Sequence, residues 1–243
     1  MPGILVIACF PTDEAALMAQ REQLAAANLS LDIQLTWRGV KAGPDAVTSA
    51  PDEMLLDLAV FEAGLDAEAK GFDAVCIGAF NEGGTAALRS VLGIPVVAPG
   101  KATMLHALTL GARFAILAQG RHAVLRHRKA VNAYGLAAQC ASVRAVEPDA
   151  AFATALEEAR RCVEDGAQVI LLGTTTMHQV AAHLAEVLDV PVIDPFPLCL
   201  QQAETFLTLG LRHSQRAYPG PVVPRTNVLR ALLQGGAAFE AGW

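Results

Sequence analysis

An internal repeat is the feature that most constrains how this chain of 243 residues can fold. The glycine of the segment DAVCIGA, Gly78, aligns with the glycine of the segment QVILLGT, Gly173, which lies 95 residues later. In each copy a short strand led by a proline follows, at Pro95 and at Pro191, and these prolines are 96 residues apart. A third match, the motif LTLG, recurs with an offset of 99 residues. Because a repeat this long is not that of a solenoid, it predicts two similar lobes that face each other across a cleft.

The order of apolar and helical segments predicts an α/β fold. Short apolar runs predict strands at residues 4–9, 31–37, 74–80, 96–97, 114–117, 169–172 and 192–193. Helical segments separate these runs, including Asp52–Lys70 and a helix capped by Asp149. Strands that alternate with helices form βαβ units and therefore parallel sheets covered on both faces. We predict two pseudo-symmetric lobes, each a parallel sheet flanked by helices, with residues 1–98 and 213–243 in lobe 1 and residues 99–212 in lobe 2.

The composition and charge exclude several classes of protein. With 53% hydrophobic and 17% charged residues, the chain is too apolar to be disordered. No stretch of about 18 residues stays apolar, so no membrane partner is expected. The net charge is −6, and the densest basic run, between Arg121 and Lys129, is typical of the solvated face of one helix. No nucleic-acid partner is therefore expected.

The cysteines and the first residues of the sequence indicate the expected cellular location of this chain. The five cysteines contain no CxxC motif, and their odd number favours reduced thiols and a cytoplasmic location. The sequence from Met1 to Ile7 runs into a strand without a basic segment, so no secretory signal peptide is expected. The histidines and cysteines lack the spacing of zinc ligands, so no metal site is expected.

Candidate ligand-binding residues follow from the strand ends, because open parallel sheets bind ligands beyond the carboxyl ends of their strands. These ends supply the following candidates for substrate binding: Cys9, Phe10, Pro11, Phe80, Asn81, Gln119, Thr175, Thr176, Pro195 and Phe196. Asn81 would fix a substrate carbonyl through its amide or only form the turn before Gly83. The threonine run at 174–176 offers hydroxyls and backbone N–H groups to an anion, or simply caps a helix. Phe10 and Phe196 would form an apolar wall or belong to the core.

Four blocks of sequence carry a resemblance to a known family. They are GAFNEGG from Gly78, LGTTTM from Leu172, VPVID from Val190 and LGLRHS from Leu209. Over nearly its whole length the chain resembles the aspartate/glutamate/hydantoin racemase superfamily, with the hydantoin and allantoin racemase branch as the most similar one. The resemblance implies an enzyme without a cofactor that uses two cysteines, one per lobe, as acid and base at a carbon next to a carbonyl. It also implies a small-molecule substrate of the amino-acid, hydantoin or carboxylate type, and a homo-oligomer.

The chain departs from this pattern at both cysteine positions, which the resemblance assigns to Ala79 and Thr174. A methyl group cannot carry a proton, and a threonine hydroxyl is too weak a base without an activating neighbour. His178 in the first turn of a helix, or the thiol of Cys9, would supply a base instead, although both are also compatible with packing roles. Three functions stay open: an isomerase or racemase, a decarboxylase or lyase of the same superfamily, and a catalytically silent protein that binds small acids.

Overall fold

The computed structural model describes residues 1–10, 29, 32–147 and 152–240. Pro11, the predicted cap Asp149 and the first residue of the strand predicted at 31–37 lie outside the described residues. The chain divides into two compact units. Unit 1 contains Met1–Gly78, Glu82–Ala98 and Cys199–Trp243, and unit 2 contains Ala79–Asn81 and Pro99–Leu198. The predicted lobes end at residues 98 and 212, whereas these units change after residues 78, 81, 98 and 198.

The described part of the chain contains eight strands and eight α-helices. In chain order they are β1 (Gly3–Ala8), β2 (Gln34–Gly39), α1 (Ala50–Gly64), β3 (Ala74–Ile77), α2 (Thr85–Val91), β4 (Val96–Val97), α3 (Pro99–Leu110), β5 (Phe114–Gln119), α4 (Arg121–Ala133), β6 (Cys140–Val146), α5 (Phe152–Glu164), β7 (Val169–Leu172), α6 (His178–Val187), β8 (Val192–Ile193), α7 (Pro195–Leu209) and α8 (Thr226–Glu240). None of these helices is long and apolar enough to cross a membrane.

Each unit contains a parallel sheet, with four strands within the described residues. The strand order is β2-β1-β3-β4 in unit 1 and β6-β5-β7-β8 in unit 2. The two central strands of each sheet are buried over nearly their whole length, as expected for parallel strands with helices on both faces. This arrangement confirms the predicted α/β class, with a parallel sheet in each of two similar units.

The internal repeat is also present in the backbone hydrogen bonds. The N–H of Gly78 donates to the carbonyl oxygen of Ile7 at 2.8 Å, and the N–H of Gly173 donates to that of Leu117 at 2.7 Å. Ile7 lies in β1 and Leu117 in β5, which are the strands paired with β3 and β7. The residues that follow the two glycines therefore occupy equivalent places at the carboxyl ends of β3 and β7.

Strand β6 is the main element that the sequence pattern does not predict. No strand is predicted at Cys140–Val146, where the structure has one that pairs with β5 along one side. The segment lies at the edge of its sheet and is mostly half-buried. It contains alanine, serine and arginine instead of a continuous β-branched run, so the apolar signal of a buried strand is absent.

Several predicted elements also have different bounds, and two of them show why. The helix predicted over Asp52–Lys70 begins at Ala50, after a capping box, and ends at Gly64. The strand predicted at 74–80 ends at Ile77, because the residues that follow leave the sheet. The apolar character of Ala79 and Phe80 has another cause, because both residues are buried in unit 2.

Candidate active site

The short segment Ala79–Asn81 belongs to unit 2. Ala79 is buried, and Phe80 belongs to the same apolar cluster as Phe114 of β5. The Phe80 ring also packs edge-on against His127, with 4.8 Å between the ring centroids and 73° between the planes. These are the contacts of a core residue, and ligand binding by Phe80 stays a prediction. Asn81, the other predicted ligand contact in the segment, is half-buried.

His127 connects this segment with the end of β7. Its Nε2 atom is 2.9 Å from the carbonyl oxygen of Gly173, and because a carbonyl only accepts, Nε2 carries the proton. The pKa of His127 is lowered to about 4, by burial first and by the charge of Arg126 second. The hydrogen bond to Gly173 acts in the opposite direction. The neutral ring of His127 therefore joins two residues, Phe80 and Gly173, that directly adjoin the positions the resemblance assigns to acid and base.

His127 is not among the predicted site residues, although the sequence contains a signal for its burial. Ala123, His127 and Val131 are spaced by four residues and form the buried face of α4. The ends of the basic run, Arg121 and Lys129, are exposed. A histidine on the apolar face of an otherwise basic helix could have been identified as buried from this spacing alone.

The threonine run after β7 forms a hydrogen-bonded group with Gln119, the last residue of β5. The Thr176 hydroxyl donates to Oε1 of Gln119 at 2.9 Å. The Thr174 hydroxyl lies 3.0 Å from the Thr176 hydroxyl and 3.3 Å from the same Oε1, and it accepts from the Thr176 N–H at 3.3 Å. Among the described residues neither hydroxyl has a basic partner, because an amide oxygen and a second hydroxyl are not bases. Since Oε1 is occupied, Gln119 has its Nε2–H groups to offer to a ligand.

His178 and Asp194 form a close pair at the carboxyl ends of β7 and β8. His178 is the first residue of α6, and its Nδ1 atom is 2.5 Å from Oδ2 of Asp194. The other carboxylate oxygen, Oδ1, accepts a hydrogen bond from the N–H of Phe196 at 3.2 Å. The side chains are 28% and 14% exposed, so the pair is largely enclosed and still reachable by a small molecule. Pro195 and Phe196, both predicted to bind ligand, are buried at the start of α7.

The end of β1 in unit 1 supplies Cys9 and Phe10. The Cys9 thiol is buried and donates to the carbonyl oxygen of Ile7 at 3.6 Å. Burial raises its pKa to about 12, against a smaller opposite effect of the backbone N–H of Gly78. The thiol is therefore protonated at neutral pH and is poorly suited to act as a base. Phe10 is half-buried.

A groove of about 830 Å³ lies along the edge strand β6, between α4 and α5. Within it, Arg144 pairs with Asp165 at 2.8 Å and with Glu158 at 3.4 Å. None of the predicted site residues lines this groove. The polar groups at the strand ends, which include a base, hydroxyls and an amide, are therefore the better candidate for chemistry.

Comparison with known proteins finds relatives along most of the chain. The family model described as Asp/Glu/Hydantoin racemase matches residues 14–203. A hydantoin racemase of Pseudomonas sp. (strain NS671) is 29% identical over 215 residues, which cover 84% of this chain and 86% of that protein. A hydantoin racemase of Rhizobium meliloti is 30% identical over 193 residues, or 74% of this chain and 77% of that one. Among solved structures, an allantoin racemase from Klebsiella pneumoniae has a TM-score of 0.83 at 23% identity and covers 94% of this chain and 99% of its own.

Proposed function

Because the chain belongs to the Asp/Glu/hydantoin racemase family, we propose that it is an enzyme that needs no cofactor and moves a proton on and off a carbon next to a carbonyl. We place hydantoin-like rings first among its substrates, ahead of amino acids and other carboxylates, because two relatives are hydantoin racemases. A substrate cleft between two lobes and assembly as a homo-oligomer stay predictions.

The observation that carries this proposal is the equivalence of two strand ends. Ala79 and Thr174 each follow a glycine whose N–H donates to the neighbouring central strand of its sheet. The resemblance assigns acid and base to these same two positions. This equivalence supports a site of the family's two-sided type, in which the two thiols that the resemblance implies are replaced by Ala79 and Thr174.

The polar groups beside Thr174 support a second requirement of this chemistry. When a proton leaves a carbon next to a carbonyl, the carbonyl oxygen becomes negative and needs hydrogen-bond donors. The Nε2–H groups of Gln119 are suited to that oxygen, because the hydroxyl of Thr176 fixes the other end of the amide. The Thr174 hydroxyl is suited to orienting a ligand and not to taking its proton.

One-dimensional proton NMR in deuterated water tests the proposal, with substituted hydantoins, allantoin, amino acids and malonates as separate substrates. The expected result is loss of the signal of the proton next to the carbonyl, faster than in a matched sample without protein. Ala79→Cys should accelerate the exchange by roughly 100-fold or more, because a thiol at that position adds an acid/base group. Ala79→Ser is the matched control, since a serine hydroxyl is similar in size and is not a base.

The other outcomes separate the alternatives. If neither the unaltered chain nor Ala79→Cys exchanges a proton or forms a product with any of these substrates, the proposal is contradicted. That result would favour a protein that binds small acids without turnover. Release of carbon dioxide from malonates, with no exchange in the hydantoins, would favour the decarboxylase or lyase alternative. Equal rates in the unaltered chain and Ala79→Cys would remove position 79 from the chemistry.

A further inference from the structure

We propose that His178 takes and returns the substrate proton in this chain, with Asp194 as the residue that positions its ring. The inference rests on the proposed function, because it names the acid/base group of that same site. It assigns to a histidine–carboxylate pair the role that the resemblance gives to a thiol at Thr174.

The geometry of the pair determines which nitrogen is basic. A carboxylate only accepts hydrogen bonds, so Nδ1 of His178 carries a proton and donates it to Asp194. In the neutral ring the lone pair is then on Nε2, the nitrogen on the far side from the carboxylate. Asp194 is itself held in place, because its second oxygen accepts from the N–H of Phe196. A carboxylate that orients a histidine base in this way is a recurring device in hydrolytic enzymes.

The position of the pair in the sheet places it with the ligand-binding groups. His178 follows β7, Asp194 follows β8, and Gln119 ends β5, and these are three adjacent strands of one parallel sheet. The carboxyl ends of adjacent parallel strands lie along one edge of the sheet. A proton acceptor and hydrogen-bond donors for a carbonyl oxygen therefore share that edge.

The other candidates for a base are weaker on physical grounds. Ala79 has no ionisable group, and the partners of the Thr174 hydroxyl among the described residues are an amide oxygen, a second hydroxyl and a backbone N–H, none of which is a base. The thiols of Cys9 and Cys199 are buried, and each donates to a backbone carbonyl oxygen. Their pKa values are raised mainly by that burial, so both thiols stay protonated at neutral pH. His178 is the candidate that combines a basic atom with partial exposure.

The proposed step balances without a cofactor. The lone pair of His178 Nε2 forms an N–H bond with the substrate proton as the C–H bond breaks. The electron pair of that bond moves into an enolate, whose negative oxygen accepts hydrogen bonds from donors such as the Nε2–H groups of Gln119. The enolate carbon then takes a proton back from Nε2, or a deuteron after exchange with deuterated water, and the carbonyl is restored.

The NMR exchange assay with a set of variants tests this assignment. His178→Asn removes the basic nitrogen, while its amide N–H can still donate to Asp194, and we expect kcat to fall by roughly 100- to 10,000-fold. Asp194→Asn should lower kcat by roughly 10- to 1,000-fold with little change in KM, because an asparagine can hold the ring in the wrong tautomer. His183→Gln on the exposed side of the same helix is the matched control and should stay within about twofold.

The outcomes distinguish this inference from the proposed function. If the unaltered chain exchanges and His178→Asn keeps more than about a third of its rate, the assignment to His178 is wrong and the proposed function stands. If neither the unaltered chain nor Ala79→Cys exchanges any substrate, the proposed function fails and the assignment fails with it. Circular dichroism and the thermal midpoint of each variant separate a lost rate from a lost fold. Should His178→Asn unfold, the kcat of Asp194→Asn decides, and an unchanged kcat overturns the assignment.

Discussion

The two copies of the repeat share a backbone frame and differ in the side chains at the ends of their strands. In the second copy His178 begins the helix after β7, and Asp194 follows β8. The corresponding residues of the first copy are Thr85, which begins α2, and Ala98, which follows β4, and both are buried. An ionisable pair is therefore present in one copy and replaced by two uncharged residues in the other. The sheet requires the shared hydrogen bonds, whereas the side chains beyond it can differ, so the symmetry of the fold does not extend to the ionisable groups at the strand ends.

The outer strands show the opposite behaviour, because there the two copies agree in a side chain as well. Arg38 of β2 and Arg144 of β6 occupy equivalent register positions beside the central strands. Arg38 donates to Asp66 at 2.6 Å, and Arg144 donates to Asp165 at 2.8 Å and pairs with Glu158 at 3.4 Å. Each arginine ties the edge strand of its sheet to acidic groups on the helical layer.

The largest expected effect concerns Gly78 and Gly173, whose N–H groups donate to the central strands of the two sheets. A Cβ atom at Gly78 would lie 2.7 Å from the carbonyl oxygen of Ile7, and one at Gly173 would lie 2.6 Å from Nε2 of His127. A backbone oxygen in the sheet cannot move away, whereas a side chain can tilt. We expect Gly78→Ala to lower the free energy of unfolding by roughly 3 to 5 kcal/mol, and Gly173→Ala by roughly 2 to 3 kcal/mol, in urea denaturation.

The control for this pair of substitutions is Gly235→Ala in α8, where the described residues place no atom within 4 Å of the added carbon apart from the glycine's own neighbours and helix backbone. An alanine in a helix interior should raise the free energy of unfolding by roughly 0.5 to 1 kcal/mol. A smaller loss at Gly78 than at Gly173 would contradict the distinction between a backbone neighbour and a side-chain neighbour.

The second effect is a dependence of stability on pH that arises in the second copy. In the unfolded chain the pKa of a histidine is about 6.5, whereas His127 has a pKa of about 4 in the folded protein. The unfolded state therefore binds more protons as pH falls, and the stabilisation present above about pH 6.5 is lost toward pH 4. This residue should account for a fall of roughly 3 kcal/mol between about pH 7 and about pH 4.

His127→Gln tests this dependence, because its amide N–H can still donate to Gly173 while the titrating group is absent. The free energy of unfolding of both proteins would be measured by urea denaturation across the pH range. The difference between the two curves should narrow as the solution becomes acidic. Parallel curves would show that His127 does not contribute to the acid sensitivity.

The third effect tests whether proton chemistry is confined to one copy. A single acid/base pair returns the proton to the face from which it was taken, so deuterium enters the substrate without inversion. With an optically pure hydantoin we expect exchange by NMR to be roughly tenfold or more faster than loss of optical rotation. Ala79→Cys should bring the two rates together, because it places a second acid/base group in the other copy. Equal rates of exchange and of loss of optical rotation in the unaltered chain would mean that protons are already transferred at both faces of the substrate carbon.

The smallest effect concerns the edge-strand arginines. Arg38→Met and Arg144→Met should each lower the free energy of unfolding by about 1 kcal/mol, since both ion pairs are only partly exposed. Arg38 also donates to the carbonyl oxygen of Ala63, a neutral group, whereas Arg144 contacts two carboxylates. The loss at Arg144 should therefore shrink more than the loss at Arg38 when denaturation is repeated in about 0.5 M salt. An equal salt response would contradict this difference.

Much of the fold could be predicted from the sequence because its signals are local. The strands that contain Ile7 and Leu117 are continuous apolar runs, and the glycines after β3 and β7 belong to sequence blocks that repeat 95 residues apart. Strand β6 lacks such a run because it is a half-buried edge strand. The repeat itself could have indicated it, since the first copy has β2 in the equivalent place.

The candidate site was predictable only as a set of strand ends. The pairing of Gln119 with Thr176 joins residues 57 positions apart, and that of His178 with Asp194 joins residues 16 positions apart. Such pairs depend on which strands are neighbours and on where each side chain points, and no short window of sequence contains this information. Asp194 lies at a predicted strand end, but its candidate role depends on its contact with His178, which only the structure shows.

The contact between His127 and Gly173 limits the substitutions that this sequence can accept at the two positions. The ring occupies the space that any side chain at position 173 would need, and it donates to the carbonyl of that same residue. A larger residue at 173 is therefore acceptable only in a chain that has already replaced the histidine with something smaller. Replacing the histidine first opens a void beside Phe80. Positions 127 and 173 should accordingly vary together among relatives, as a covarying pair that ties the basic helix α4 to the end of β7.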